Sequence, residues 1–263
     1  MSELPRSVTE LVDELASTPG AVAVVLGGSR ALGTETESSD WDLGLYYRGA
    51  IDLGALAARG TVYPPGSWGR LMNGGGWLRC GPTRVDVLLR DLDIVEYWNE
   101  RAERGEFDVD ALLGYVAGVP TYLLSAELGS CRLLHGHIPR VTFPTALTRE
   151  APPRWRFSRS FSLAYARMHA QRGNWVGAVG QVAKAVHEEA HAILCERSEW
   201  VCNEKGMIER AGLASVQALH RECPAHVAGL VEWVDTVAEQ LGASARGNAP
   251  WEPPNGAANA VEI

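Results

Sequence analysis

The chain is poor in lysine. Among its 263 residues only Lys184 and Lys205 are lysines, acids outnumber Lys plus Arg by 32 to 24, and the net charge is −8. A protein that binds a nucleic-acid backbone gains affinity by neutralising phosphates and shows a basic face. None is written here, so no nucleic-acid partner is expected, and the acidic balance suits a small, cationic partner. No apolar run reaches the length of a membrane span, so no membrane partner is expected either. The opening "MSELPRSVTELVDE" is polar and acidic, unlike a secretory signal. Five cysteines (Cys80, Cys131, Cys195, Cys202, Cys223) are odd in number and never spaced C-x-x-C, which reads as reduced thiols in the cytoplasm.

What is present is a globular composition, 46% hydrophobic and 21% charged. Ser7 and Glu10 fit a capping box ahead of a helical stripe of Leu11, Val12 and Leu15 that stops at Pro19-Gly20. "AVAVVL" (21–26) reads as a buried strand and "WDLGLYY" (41–47) as the next; "LGALAARG" (53–60) reads as a short helix. "GGWLRC" and "TRVDVLLR" flank Gly81-Pro82 as a hairpin, and "DLDIVEYWNERAERG" (91–105) reads as a capped helix. From Pro139 to Pro153 the texture turns proline-rich and aperiodic. After it the patterns are helical, over 154–173, 175–200 and 213–242. The expected class is α+β: a mixed-sheet catalytic domain over 1–140, a linker over 141–153, a C-terminal α-helical bundle over 154–245, and a mobile tail over 246–263.

The informative stretch is "VVLGGSRALGTETESSDWDLGLYY" (24–47). Along a strand, residues two apart share a side, so Asp40 and Asp42 point one way and Trp41 the other. Two carboxylates about 4 Å apart repel by roughly 4 kcal/mol at an effective dielectric near 20. Water or a cation between them relieves this, and Mg²⁺ typically takes one or two carboxylates plus substrate phosphates. The turn before them has the complementary chemistry. Gly27 and Gly28 let the backbone approach a ligand closely, and Ser29 with the following amides can hold an anion. Asp86 stands alone in the apolar "TRVDVLL", where an unpaired charge is costly, and is a third metal ligand or the base for an attacking hydroxyl.

Glycine-serine, about ten residues, D-x-D and a later in-strand acid together resemble the signature of the nucleotidyltransferase superfamily, the polymerase-β-like fold. Gly28, Ser29, Asp40, Asp42 and Asp86 match it position by position, over roughly residues 7–105. The two-domain layout is similar to the aminoglycoside adenylyltransferase-like group of small-molecule nucleotidyltransferases, and "ERSEWVCNEKGMIERAGL" (196–213) looks like that group's helical-domain segment. The resemblance implies transfer of a nucleoside monophosphate, AMP from ATP or the equivalent from another triphosphate, to a hydroxyl of a small molecule such as an aminoglycoside-type antibiotic or a sugar metabolite. It implies one or two Mg²⁺ ions on Asp40, Asp42 and Asp86, with Asp86 accepting the proton; some relatives use a glutamate.

In the helical half, Gln181, Lys184, Glu188 and His191 form a polar line. One reading is a solvated side with Lys184 and Glu188 as an i,i+4 pair. The other gives the β/γ-phosphates to Lys184, with Lys205 as its competitor, and makes Glu188 an acceptor contact or alternative base. "HEEAH" (187–191) also fits the helical zinc motif H-E-x-x-H, the signature of a zinc hydrolase. Two further readings are a protein-AMPylating nucleotidyltransferase and a catalytically silent nucleotide-binding module. The sequence leaves the oligomeric state undefined.

Overall fold

A computed structural model describes residues 4–37, 39–54, 56–243 and 245. In chain order the elements are α1 (Arg6–Ala16), β1 (Ala21–Leu26), α2 (Gly28–Leu32), β2 (Trp41–Tyr47), a 3-10 turn (Leu56–Ala58), β3 (Gly60–Tyr63), α3 (Gly69–Met72), β4 (Gly74–Cys80), β5 (Thr83–Asp91) and α4 (Leu92–Glu103). There follow β6 (Val109–Asp110), β7 (Val119–Pro120), α5 (Leu123–Ser130), β8 (Arg132–Gly136), α6 (Thr145–Gln171), α7 (Trp175–Glu196), α8 (Met207–Arg210), α9 (Ala214–Arg221) and α10 (Leu230–Gln240). The chain is α+β, a mixed sheet followed by helices. Its six-stranded sheet has the order β3-β4-β5-β2-β1-β8, with β2 and β5 parallel and the other pairs antiparallel. β6 and β7 pair separately.

The chain divides into two compact units. One comprises 1–110, 119–148 and 198–202; the other comprises 111–118, 149–197 and 203 onward. In the first unit α1 lays Val8, Leu11, Val12 and Leu15 on one side of the sheet, against Val24 and Leu26, Leu43 and Leu45, and Val85, Val87 and Leu89. Each such aliphatic side chain contributes about 1.5–3 kcal/mol when fully buried. Strand alternation then sends Asp42, Gly44 and Tyr46 of β2, and Asp86, Leu88 and Arg90 of β5, to the other side. The two ends of that side differ. Tyr46 and Arg90 are buried, Arg90 forking onto Glu127 of α5 with two 2.6 Å bonds, while the Asp42–Asp86 end stays partly exposed.

In the second unit Trp155, Leu163, Ala166, Ala178, Val182 and Ala185 are buried. A charged layer accompanies them. Glu189 is bound by Arg159 and by Arg156 Nε at 3.1 Å, and Arg159 also donates to the Leu241 carbonyl at 3.0 Å, just past the end of α10. A cation there complements the free carbonyls of a helix C-terminus.

Three local expectations are corrected. Ser7 does not cap α1: the helix starts at Arg6 behind Pro5 with no side-chain cap, and Glu10 pairs with Arg6 at 3.0 Å rather than reaching back. The helix expected over 53–60 is replaced by the 3-10 turn at Leu56–Ala58, and Gly60 already opens β3. The expected linker 141–153 is largely helix, because α6 begins at Thr145 and runs through Pro152 and Pro153. The two prolines remove the amides that would bond the carbonyls four residues back, at Thr148 and Arg149. Leu147, Ala151 and Trp155 bury a continuous i, i+4, i+8 stripe that holds the helix together. The division between the units falls between those same two carbonyls. The expected tail, 246–263, lies outside the described residues.

Candidate active site

β1 ends at Leu26, and the chain turns at once into the single helical turn of α2. The Gly27 amide donates to the Asp42 carbonyl at 2.8 Å, tying the turn to β2. Gly28 has φ +61°, and a Cβ built on it would fall 1.8 Å from Asp42 Oδ2. Only glycine allows that backbone to lie against the carboxylate. α2 has five residues, too few for a substantial dipole, so what it offers an anion is local: the first-turn amides and the Ser29 hydroxyl.

Asp42 sits directly opposite Asp86 in the parallel β2–β5 register, and Asp40 precedes β2 on the same side as Asp42. Asp42 turns its carboxylate toward Gly28, so the charge acting on Asp86 is that of Asp40. Burial pushes the Asp86 carboxyl above the ordinary range, Asp40 adds to this, and Arg84 opposes it. Arg84 Nε pairs with Asp40 Oδ1 at 3.0 Å. Arg84 is 62% exposed, and a pair that open contributes at most about 1 kcal/mol. It holds Asp40 weakly.

Among the described residues no three His, Cys, Asp or Glu side chains gather into a metal cage. The donor set nevertheless suits a hard cation. Asp42 and Asp86 face each other on adjoining strands, Asp40 lies just before β2 against Arg84, and burial favours the neutral form of Asp86. Oxygen ligands of this kind are what Mg²⁺ takes. Asp40, Asp42 and Asp86 would hold it.

Two residues of the site escaped the sequence reading. Arg30, in α2, reaches back across the loop: its Nε donates to the Ser39 and Asp40 carbonyls at 3.2 and 3.1 Å, and its Nη2 to Ser39 at 2.6 Å. Its guanidinium also lies 4.4 Å from the Trp41 ring centre. Arg30 therefore fixes the approach to β2 that aims Asp40 and Asp42. No spacing rule announces a side chain that bonds carbonyls nine and ten residues on. Arg84 was within reach, because the period-two argument that paired Asp40 with Asp42 also puts Arg84 beside Asp86.

The remaining expected residues belong to the second unit. Glu188 is fully buried; it accepts from Ser158 Oγ at 2.6 Å and Ser162 Oγ at 2.7 Å and pairs with Lys184. The polar line is thus not simply a solvated side, and this carboxylate already has three partners. Lys205 is exposed, and its backbone amide donates to Asn203 Oδ1 at 2.9 Å. The zinc motif is poorly placed for metal. His191 is buried and stacks on Trp155 at 4.3 Å and 9°, and the glutamate in the motif's base position is Glu188. Burial holds the His191 imidazole neutral, its pKa lowered to about 3.

No helix among the described residues is long and apolar enough to cross a membrane. No family model and no curated protein matches the chain. Among solved structures, it is similar to a nucleotidyltransferase-like protein from Exiguobacterium sibiricum 255-15, at 15% identity and a TM-score of 0.45, over 90% of this chain and 73% of that one.

Proposed function

We propose that the chain transfers a nucleoside monophosphate from a Mg²⁺-bound triphosphate, ATP the first candidate, to a hydroxyl of a small molecule such as an aminoglycoside-type antibiotic or a sugar metabolite. One observation carries the reading: Asp42 and Asp86 face each other across parallel strands, and a glycine turn open to an anion lies against Asp42.

In this reading the turn at Gly28 and Ser29 receives the triphosphate through backbone amides and the hydroxyl. The acceptor oxygen attacks the α-phosphorus, the bond to the bridging oxygen of the β-phosphate breaks, and pyrophosphate leaves. The acceptor's proton passes to the Asp86 carboxylate, whose burial makes it a better base than an exposed aspartate. A bound Mg²⁺ would supply charge stabilisation on the attacking and leaving oxygens. Arg30 keeps the Asp40–Asp42 segment in place. Glu188, already bonded by two serines and a lysine, is a weaker candidate for the base. Lys184 and Lys205 remain the candidate phosphate cations of the second unit.

Calorimetric titration of the four ribonucleoside triphosphates, with and without Mg²⁺, into wild type and Asp42→Asn tests this without knowing the acceptor. Mg²⁺-dependent binding that is lost in the variant is expected. Equal binding by both proteins, or none by wild type, removes the basis of the reading.

A further inference from the structure

Beyond the acids the same side of the sheet carries a second set of groups. Trp77 of β4 stands directly opposite Asp86, which stands opposite Asp42. The row across the sheet is therefore Asp42, Asp86, Trp77. The phosphate-facing turn lies at its β2 end and Trp77 at the other. Trp77 is 55% exposed, a large aromatic surface to leave in water beside a partly buried carboxylate. Its placement is built. Tyr63 meets it edge-on at 5.0 Å and Trp68 lies at 5.9 Å. Trp68 itself fits only because Gly75 has no side chain, since a Cβ there would come within 2.6 Å of its ring.

Charge gives this surface a direction. Arg79 is two residues beyond Trp77 on the same side, about 7 Å along the strand, roughly one six-membered ring and a substituent away. It stands opposite Arg84. Like charges facing across strands are unfavourable. Arg84 has Asp40 as its partner; Arg79 has no acidic partner among the described residues.

We infer that Trp77 is the floor of the acceptor subsite, and that the acceptor is a ring compound carrying a carboxylate or phosphate toward Arg79 and a hydroxyl toward Asp86. The assignment as acceptor rests on the nucleotidyl-transfer reading. The donor's phosphates occupy the Gly28–Ser29 side of the acids, so an attacking hydroxyl arrives from the Trp77 side, and a ring stacked on Trp77 presents its edge to Asp86. The charge preference runs against the cationic partner that net charge alone suggests and favours a sugar metabolite over an aminoglycoside, because Arg79, beyond the acids and opposite an arginine already paired with Asp40, is the charge that a ring on Trp77 would meet at its far end.

Saturation-transfer NMR tests the subsite directly, with nucleotide-free protein in EDTA and four probes: glucuronate, glucose 6-phosphate, glucose and glucosamine. Strongest transfer to the two anionic rings is expected. Trp77→Ala should weaken it about fivefold, the scale of one aromatic contact, and Trp77→Phe should restore most of it. Arg79→Gln should erase the preference for anions while keeping contact with the rings. Undiminished transfer in Trp77→Ala, preference for glucosamine, or no transfer to any ring overturns the inference. Titrating the same samples with Mg²⁺ and ATP separates the two ideas. Triphosphate binding without ring binding removes the subsite alone. Ring binding without triphosphate binding removes the transfer reading and, with it, the acceptor assignment.

Discussion

Replacing Asp86 by asparagine should make the metal-free protein more stable. The carboxyl is partly buried beside Asp40, its diagonal neighbour across β2 and β5, and both conditions hold its pKa above the ordinary 3.8. Diagonal neighbours lie about 7 Å apart, where two unit charges repel by about 2 kcal/mol at an effective dielectric near 20. Arg84 and solvent oppose about half of this, leaving about 1 kcal/mol against the ionised protein. Asparagine keeps the shape and removes the charge. The pH dependence has a definite sign. Between 3.8 and the raised native value the folded protein binds more protons than the unfolded chain, so wild-type stability falls as pH rises through that window and is level above it. Urea unfolding in EDTA should show Asp86→Asn ahead by about 1 kcal/mol at pH 7, the gap closing as pH falls to about 4. Added Mg²⁺ should stabilise wild type and leave the variant nearly unchanged. A variant less stable than wild type at pH 7 in EDTA, or a gap indifferent to pH, would refute the view of Asp86 as an acid held at a cost to the fold.

Arg30→Met removes the guanidinium that holds the Ser39 and Asp40 carbonyls; titration should show Mg²⁺–triphosphate affinity about tenfold weaker, while stability falls by only about 1 kcal/mol for part-exposed bonds. Glu188→Gln keeps an acceptor for one of the two serines, which bond separate oxygens of the carboxylate, and loses the charge-assisted bonds, so unfolding should shift by about 1–3 kcal/mol with triphosphate binding retained; lost turnover at unchanged stability would instead make Glu188 the base. His191→Phe keeps a ring on Trp155 and removes a group that must charge in the unfolded chain below its usual 6.5; folded His191 resists protonation down to about 3, so wild type loses stability as pH falls through 6.5, and the variant should lead by about 2 kcal/mol at pH 5 relative to their difference at pH 8.

Much of the sheet unit was legible from local rules. β1 and β2 coincide with the expected 21–26 and 41–47, because a continuous β-branched run and a bounded aromatic run each have one reading. Asp40, Asp42 and Asp86 share a side of the sheet because alternation dictates it. Register was not legible. Nothing in "TRVDVLLR" says that β5 lies parallel to β2, or that Asp86 rather than Leu88 meets Asp42: burial against α1 fixes which side each strand shows, and a shift of two residues leaves that side unchanged. β3 and β8 were missed for a related reason. They are the outer strands of the sheet, short and part-exposed, and carry little apolar signal.

The helical unit shows the limit of periodicity as a guide to chemistry. Gln181, Lys184, Glu188 and His191 recur at helical spacing, and such a line is compatible with solvent, a cleft or a packed interior. What decides is the side chains on the facing helix. Ser158 and Ser162 are four apart on α6 and so lie one above the other, placing two hydroxyls on Glu188. Trp155 accepts the flat of the His191 ring. The same helix presents Arg156 and Arg159 to Glu189, next in sequence to Glu188. Two adjacent glutamates are thus buried by different partners, one by hydroxyls and an ammonium, the other by two guanidiniums. Burying either charge alone would cost several kcal/mol. Paired this way, the two charges fix how α6 and α7 dock, and they fit a structural role for "HEEAH" better than metal ligation.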